Sequence, residues 1–220
     1  MKPERAPLPV VIARLARDGT PVVPLPSPLA RWAQWTLMAA LAAAIVTILF
    51  GVRYDLAFHL RDVRFILAAT FTGLLALTAA ADAFLLSVPG VSPGRVARTM
   101  PLIAAIAWGA LLWTRLMATG DPVAAIVATP RHPGCVVLIL SISALPGIWL
   151  FRMLRQAAPL ETRWTSLCAA LGALACGALG TQFVCPIDAP GHQLLWHFVP
   201  VIVLTLVGVV LGAGTFRRLR

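Results

Sequence analysis

The sequence predicts an all-α, polytopic membrane protein of six transmembrane helices with both termini in the cytoplasm. Three observations predict it. Of 220 residues, 60% are hydrophobic and 12% charged, whereas soluble domains are nearer half apolar and a quarter charged. The apolar residues collect into six runs of roughly membrane-spanning length, about 16 to 22 residues each. The basic residues, which give a net charge of +10, lie between those runs and form neither one tail nor one long patch. That is the pattern of anchoring on an anionic leaflet, not of a nucleic-acid surface.

Taken in order, residues 1–30 hold no apolar run long enough to insert, so no signal-peptide core is expected before the first span and no cleavage. Within them Leu8, Val11, Ile12 and Leu15 recur at helical spacing, with Arg14, Arg17 and Asp18 on the other side. This reads as a short amphipathic helix ended by Gly19 and followed by a proline-rich tether from Pro21 to Pro28. Such a helix either lies on lipid headgroups or docks on a partner. The spans are expected near Trp35 to Phe50, Phe65 to Leu86, Pro101 to Met117, Cys135 to Phe151, Thr165 to Val184 and Leu194 to Leu211. Pro101 suits a first helical turn, and Pro146 and Pro200 should kink their helices. Asp121 to Ala128 reads as a short interfacial helix. The expected organisation is therefore a cytoplasmic extension, 1–30, and one membrane domain, 31–220.

Six spans return both ends to one side, and the cations choose the side. Lys2, Arg5, Arg14, Arg17, Arg31, Arg95, Arg98, Arg152, Arg155, Arg163, Arg217, Arg218 and Arg220 share one face, thirteen of eighteen Lys and Arg. Arg53, Arg61, Arg64, Arg115 and Arg131 hold the other. The positive-inside rule makes the richer face cytoplasmic, with Trp32, Trp35, Trp149 and Trp164 at its interface. Small residues at Gly172, Cys176, Gly180 and at Gly208, Gly212 mark faces for close helix packing, more readily within the chain than between copies.

This topology places Cys135, Cys185, His59, His132, His192 and His197 on or near the outer face. Cys168 and Cys176 fall within a packed helix, where a thiol behaves as a small apolar group. The outer pair admits three readings: a permanent disulfide, a labile redox pair, or a metal site completed by His132, His192, His197 or Asp188, suited to zinc or another thiophilic ion. Spacing does not choose among them. Charges inside spans call for partners. Asp82 is expected to face Arg95, Arg98, Arg152 or Arg155, and Arg115 to snorkel outward. No GxSxG, HExxH or glycine-rich phosphate loop is present, and no CxxC, so no enzyme is expected.

Several segments resemble the NrsF-like membrane anti-sigma factors. In the first half these are Phe50-Gly51-Val52-Arg53-Tyr54-Asp55-Leu56, Arg61-Asp62-Val63-Arg64-Phe65 and Ser87-Val88-Pro89-Gly90. In the second they are Cys135, Leu140-Ser141, Pro146, Leu154-Arg155-Gln156-Ala157-Ala158-Pro159, Gln182-Phe183-Val184-Cys185-Pro186, Asp188 and Leu195-Trp196-His197. The resemblance covers nearly everything after Arg31. It implies a multi-pass protein of the bacterial inner membrane that sequesters an extracytoplasmic-function sigma factor. Release would follow when oxidants or heavy metals act on Cys135 and Cys185. The partner surface expected on this reading is Leu8, Val11, Ile12 and Leu15, with no direct nucleic-acid contact. The alternative is a small-solute or metal transporter that captures its cargo on the outer His and Cys residues.

Overall fold

The computed structural model describes residues 8–19, 24–90, 93–129, 131–157 and 159–217, all helix or connecting loop with no strand among them. The elements in order are α1 (Leu8–Asp18), α2 (Pro28–Phe50), α3 (Leu56–His59), α4 (Val63–Leu86), α5 (Arg95–Met117), α6 (Pro122–Val127), α7 (Pro133–Arg155), α8 (Thr162–Gln182) and α9 (Pro190–Gln193). A π-helical turn (Leu194–Phe198) then leads into α10 (Val199–Arg217). Six of these segments are long and apolar enough to cross a membrane: α2, α4, α5, α7, α8 and the continuous run Pro190–Gly212.

Three helix starts are set by side chains that satisfy free amides. Ser27 accepts from the Ala30 amide with Pro28 in the first turn, Asp62 caps α4 through Arg64, and Asp121 caps α6 through Ala124. Two spans begin well before the apolar runs suggest, at Pro28 and not Trp35 and at Arg95 and not Pro101. Helix α2 runs from Pro28 because Arg31 is buried, not exposed at an interface. Helix α5 runs from Arg95, which leaves Pro101 inside the helix and not in its first turn.

Helix α8 is the axis of the bundle. It is buried along nearly its whole length and packs on α4, α7, α10 and α2. Its small residues make this possible, since apolar side chains gain nothing by leaving lipid and helices associate through close contact. Gly172 lies on Ala76 and Ala80 of α4, and Gly177 lies on Ile139 and Ser143 of α7. Gly180 meets Ile142 and Thr47, while Gly208 and Gly212 of α10 meet Ala170 and Ser166. Both small-residue faces thus pack within the chain. Large apolar side chains such as Leu37, Leu41 and Leu49 on α2 and Leu206, Val210 and Leu211 on α10 point outward, as a lipid-facing surface requires.

The bundle has two distinct ends. At one, the start of α5 and the residue that precedes α8 approach through an Arg98–Glu161 ion pair of 3.1 Å. There Arg31 donates to the Ser87 hydroxyl at 3.2 Å and to the Met153 carbonyl. Nearby, Trp35 Nε1 donates to the Pro146 carbonyl at 2.9 Å. Helix α2 is therefore bolted to the far half of α7. Asp82 is buried with no ion pair among the described residues, and the charge of Arg98 reaches it through space. At the opposite end lie the loops 51–62 and 183–189, joined by the Arg53 amide donating to the Phe183 carbonyl at 2.9 Å.

Candidate functional site: a buried thiol and imidazole cluster

The segments that carry the reactive residues converge at this second end. Cys135 stands in the first turn of α7, after Pro133 at a position where no amide hydrogen is needed. Cys185 closes the exit from α8, its amide donating to the Thr181 carbonyl at 2.8 Å. The two sulfurs, fifty positions apart in the chain, lie 3.6 Å from each other. Both are free thiols.

His192 completes a triangle with them, its Nε2 being 3.4 Å from each sulfur. His197 stacks edge-on against His192 with ring centroids 5.3 Å apart. One donor atom from each of Cys135, Cys185, His192 and His197 lies within 4.8 Å of every other. The cluster is buried: the four residues are 8%, 7%, 0% and 2% exposed. Neither nitrogen of His197 has a hydrogen-bond partner among the described residues, and neither does Nδ1 of His192. Buried polar nitrogens are seldom left so.

The joining of two histidines five residues apart needs explanation, because an α-helix would turn them about 140° apart. Pro200 supplies the cause. It has no amide hydrogen for a bond one turn back and crowds the carbonyl there, and a widened turn relieves both conflicts. The Val199 amide accordingly bonds the Leu194 carbonyl five residues back. The extra residue in that turn brings His197 round to the side of His192. Proline here widens the helical turn that precedes it.

The Cys185 thiol is held well below the ordinary thiol range, first by the hydrogen bond from Cys135. Burial opposes this, while His192 and His197 add to it. The pair thus favours a thiolate at Cys185.

The segment bearing Cys185 and His192 is braced from three directions. Arg53, with a side chain only 1% exposed, grips Asp55 through Nε at 2.6 Å and Asp188 through Nη1 and Nη2 at 3.0 and 2.5 Å. His59 Nε2 lies 3.3 Å from Asp55 and 3.1 Å from Asp188. Burial pulls the guanidinium of Arg53 down, but hydrogen bonds to the two carboxylates outweigh it and hold it above its ordinary value. In return Arg53 holds the Asp55 carboxyl at about 2. From α5, Arg115 donates to the Gln193 side chain at 2.7 Å and the Asp188 carbonyl at 3.0 Å. It faces the 188–193 segment instead of snorkelling away. From α6 and the turn that follows it, the Thr129 hydroxyl and the Ala125 carbonyl press on Gly191, where an added Cβ would lie 2.6 and 2.9 Å from them.

Of the sequence candidates, the structure brings together Cys135, Cys185, His192 and His197. His132 is exposed and only stacks on His192 at 5.8 Å between centroids. Asp188 is turned to Arg53 and His59, outside the thiol cluster. Sequence reasoning missed that latch, although Arg53-x-Asp55 and His59 in one short loop were its visible signal. Cys168 and Cys176 are buried in α8. Along α1, Ile12 is exposed, while the side chains of Leu8, Val11 and Leu15 lie outside the described residues.

Fold and site together define a six-span helical membrane protein with a buried sulfur and imidazole cluster at one end of its bundle. Comparison with protein families matches residues 15–217 to NrsF, negative regulator of sigma F. The chain belongs to that family, and its activity is negative regulation of a sigma factor, which is its partner. No curated protein and no solved structure gives a significant match.

Proposed function

We propose that the protein is an anti-sigma factor of the bacterial inner membrane that holds a sigma factor of the extracytoplasmic-function type. In this reading Cys135 and Cys185 sense oxidants or heavy metals from outside the membrane. The termini and the 87–94 and 156–161 loops face the cytoplasm, as the cation distribution favours. One observation carries the reading: helix α7 starts at the thiol pair and, along its far half, holds α2 through Pro146 and Met153. Helix α2 follows directly on the amphipathic α1 and its tether. A change in the sulfur contact therefore has a packed path along α7 to α2, the span that follows in the chain on the segment suited to grip a partner. Packing of this kind switches between discrete arrangements, and the partner is released only if it binds the two with different affinity.

The test is retention of the cognate sigma factor by the full-length protein in native membranes, before and after peroxide or cadmium. Retention should fall on treatment of the parent and stay constant in Cys135→Ser and Cys185→Ser, and removal of residues 1–30 should abolish it. Serine variants that release the sigma factor like the parent would refute the sensing role. Labelling of both thiols only by a maleimide that reaches the cytosol would refute the orientation.

A further inference from the structure

Beyond a pair of sensing thiols, we propose that Cys135, Cys185, His192 and His197 form a closed four-ligand site for one resident divalent ion of the zinc class. The inference deepens the function proposed above and rests on it only for the consequence of losing the ion, not for the site itself.

Ligand geometry is the first argument. A tetrahedral ion with sulfur at about 2.3 Å and nitrogen at about 2.0–2.1 Å sets edges of about 3.8 Å between sulfurs and about 3.6 Å between sulfur and nitrogen. The structure has 3.6 Å between the sulfurs and 3.4 Å from each sulfur to His192 Nε2. His197 falls within the same 4.8 Å set. Two thiols and two imidazoles are among the donor sets of closed structural zinc sites.

The second argument is the fate of His197. Its ring is almost wholly buried with both nitrogens unpartnered, next to two thiols and a second imidazole. A bonded ion would satisfy one of those nitrogens, whereas a disulfide between the cysteines would satisfy neither. The widened turn from Leu194 to Phe198 is the third argument, since it gives His197 no protein hydrogen bond yet brings it to the cluster. Such turns recur at functional sites.

Four bonds to one ion would clamp α7, the exit of α8 and the entry to α10 at a single point. Binding of a softer ion at the same donors, or loss of the resident one, would alter that clamp without any electron transfer.

Full-length protein purified in detergent under reducing conditions should carry one zinc per chain. Cys135→Ser, Cys185→Ser, His192→Ala and His197→Ala should lose it, while His132→Ala and Cys176→Ser should keep it. Replacement by cobalt(II) should give sulfur-to-cobalt charge-transfer absorption and the intense visible bands of a tetrahedral site. Should the alanine variants fail to fold, His197→Cys retains four donors and should bind cobalt with stronger charge transfer. Folded, reduced parent protein that binds no zinc from buffer containing it would overturn the inference, as would His192→Ala and His197→Ala holding zinc as tightly as the parent. Sigma-factor retention measured on the same preparations separates the two proposals. Metal-free protein that still retains its partner and releases it on thiol oxidation would overturn the ion's part in release and leave the anti-sigma reading intact. Zinc-loaded protein that never retains the partner would do the reverse.

Discussion

Replacing Gly177 by alanine tests whether the thiol contact depends on the closeness of α7 and α8. The added Cβ would lie 2.0 Å from Ser143 Oγ and 2.4 Å from the Ile139 carbonyl oxygen. Ser143 cannot turn aside without giving up its own 2.7 Å bond to that carbonyl, and the carbonyl belongs to the helix backbone. Restoring an ordinary contact requires α7 to retreat by about 1 Å, an overpacking that costs about 1–3 kcal/mol. With 2–4 °C per kcal/mol for a chain of this size, Tm should fall by roughly 2–12 °C. Ile139 is one turn from Cys135, so the same retreat widens the 3.6 Å sulfur contact and should slow oxidative cross-linking of the pair. The measurements are thermal melting in detergent and the rate at which a mild oxidant protects the two thiols from maleimide. Gly73→Ala is the control, because a Cβ there meets only a Leu179 methyl at 3.8 Å. Melting of Gly177→Ala within about 1 °C of the parent, with cross-linking at the parent rate, would refute the reasoning.

Other substitutions probe the opposite end and the latch. Arg31→Met removes a charged donor from Ser87 and the Met153 carbonyl; a loss on the order of 2 kcal/mol is expected by thermal melting, with weaker sigma-factor retention although the thiols are untouched. Trp35→Phe, which gives up only the bond to the Pro146 carbonyl, should cost about 1 kcal/mol in the same assay. Because Arg53 holds the Asp55 carboxyl at about 2, below its ordinary value, the stabilisation from this pair is present above the ordinary carboxylate range. It is lost as pH falls through that range toward about 2. Parent and Asp55→Asn should therefore differ in Tm across neutral pH and converge in strong acid, and a gap that grows on acidification would contradict the latch.

Much of this architecture is legible in the amino-acid sequence, and the reasons differ by element. Hydropathy reveals a span wherever lipid is the solvent, so all six were legible. It fails at helix ends such as Pro28 to Gln34 and Arg95 to Met100, because the bundle itself shelters Arg31 and the Arg95 turn is polar. The sulfur pair was legible from topology alone, since one hairpin of two spans must bring Cys135 and Cys185 to equal depth. The choice among histidines was not legible. It depends on a widened turn that Pro200 induces, and counting residues at ordinary helical pitch puts His192 and His197 on different faces. Asp188 is one of four residues that the sequence offers as a possible companion to the thiols, while the buried cation that claims it, Arg53, comes from a loop 135 residues away.

The central position of α8 also bears on how the protein is made. Its mean hydropathy of 1.4 is the lowest of the six spans, because glycine, serine, threonine and cysteine occupy the positions where other helices carry leucine. Such a segment has the least affinity of its own for hydrocarbon among the six, and its place in the bilayer leans more on its neighbours. Biogenesis should then be sensitive to order: α4 and α7 emerge from the ribosome first and form a partial cradle, and α10 arrives last to close it.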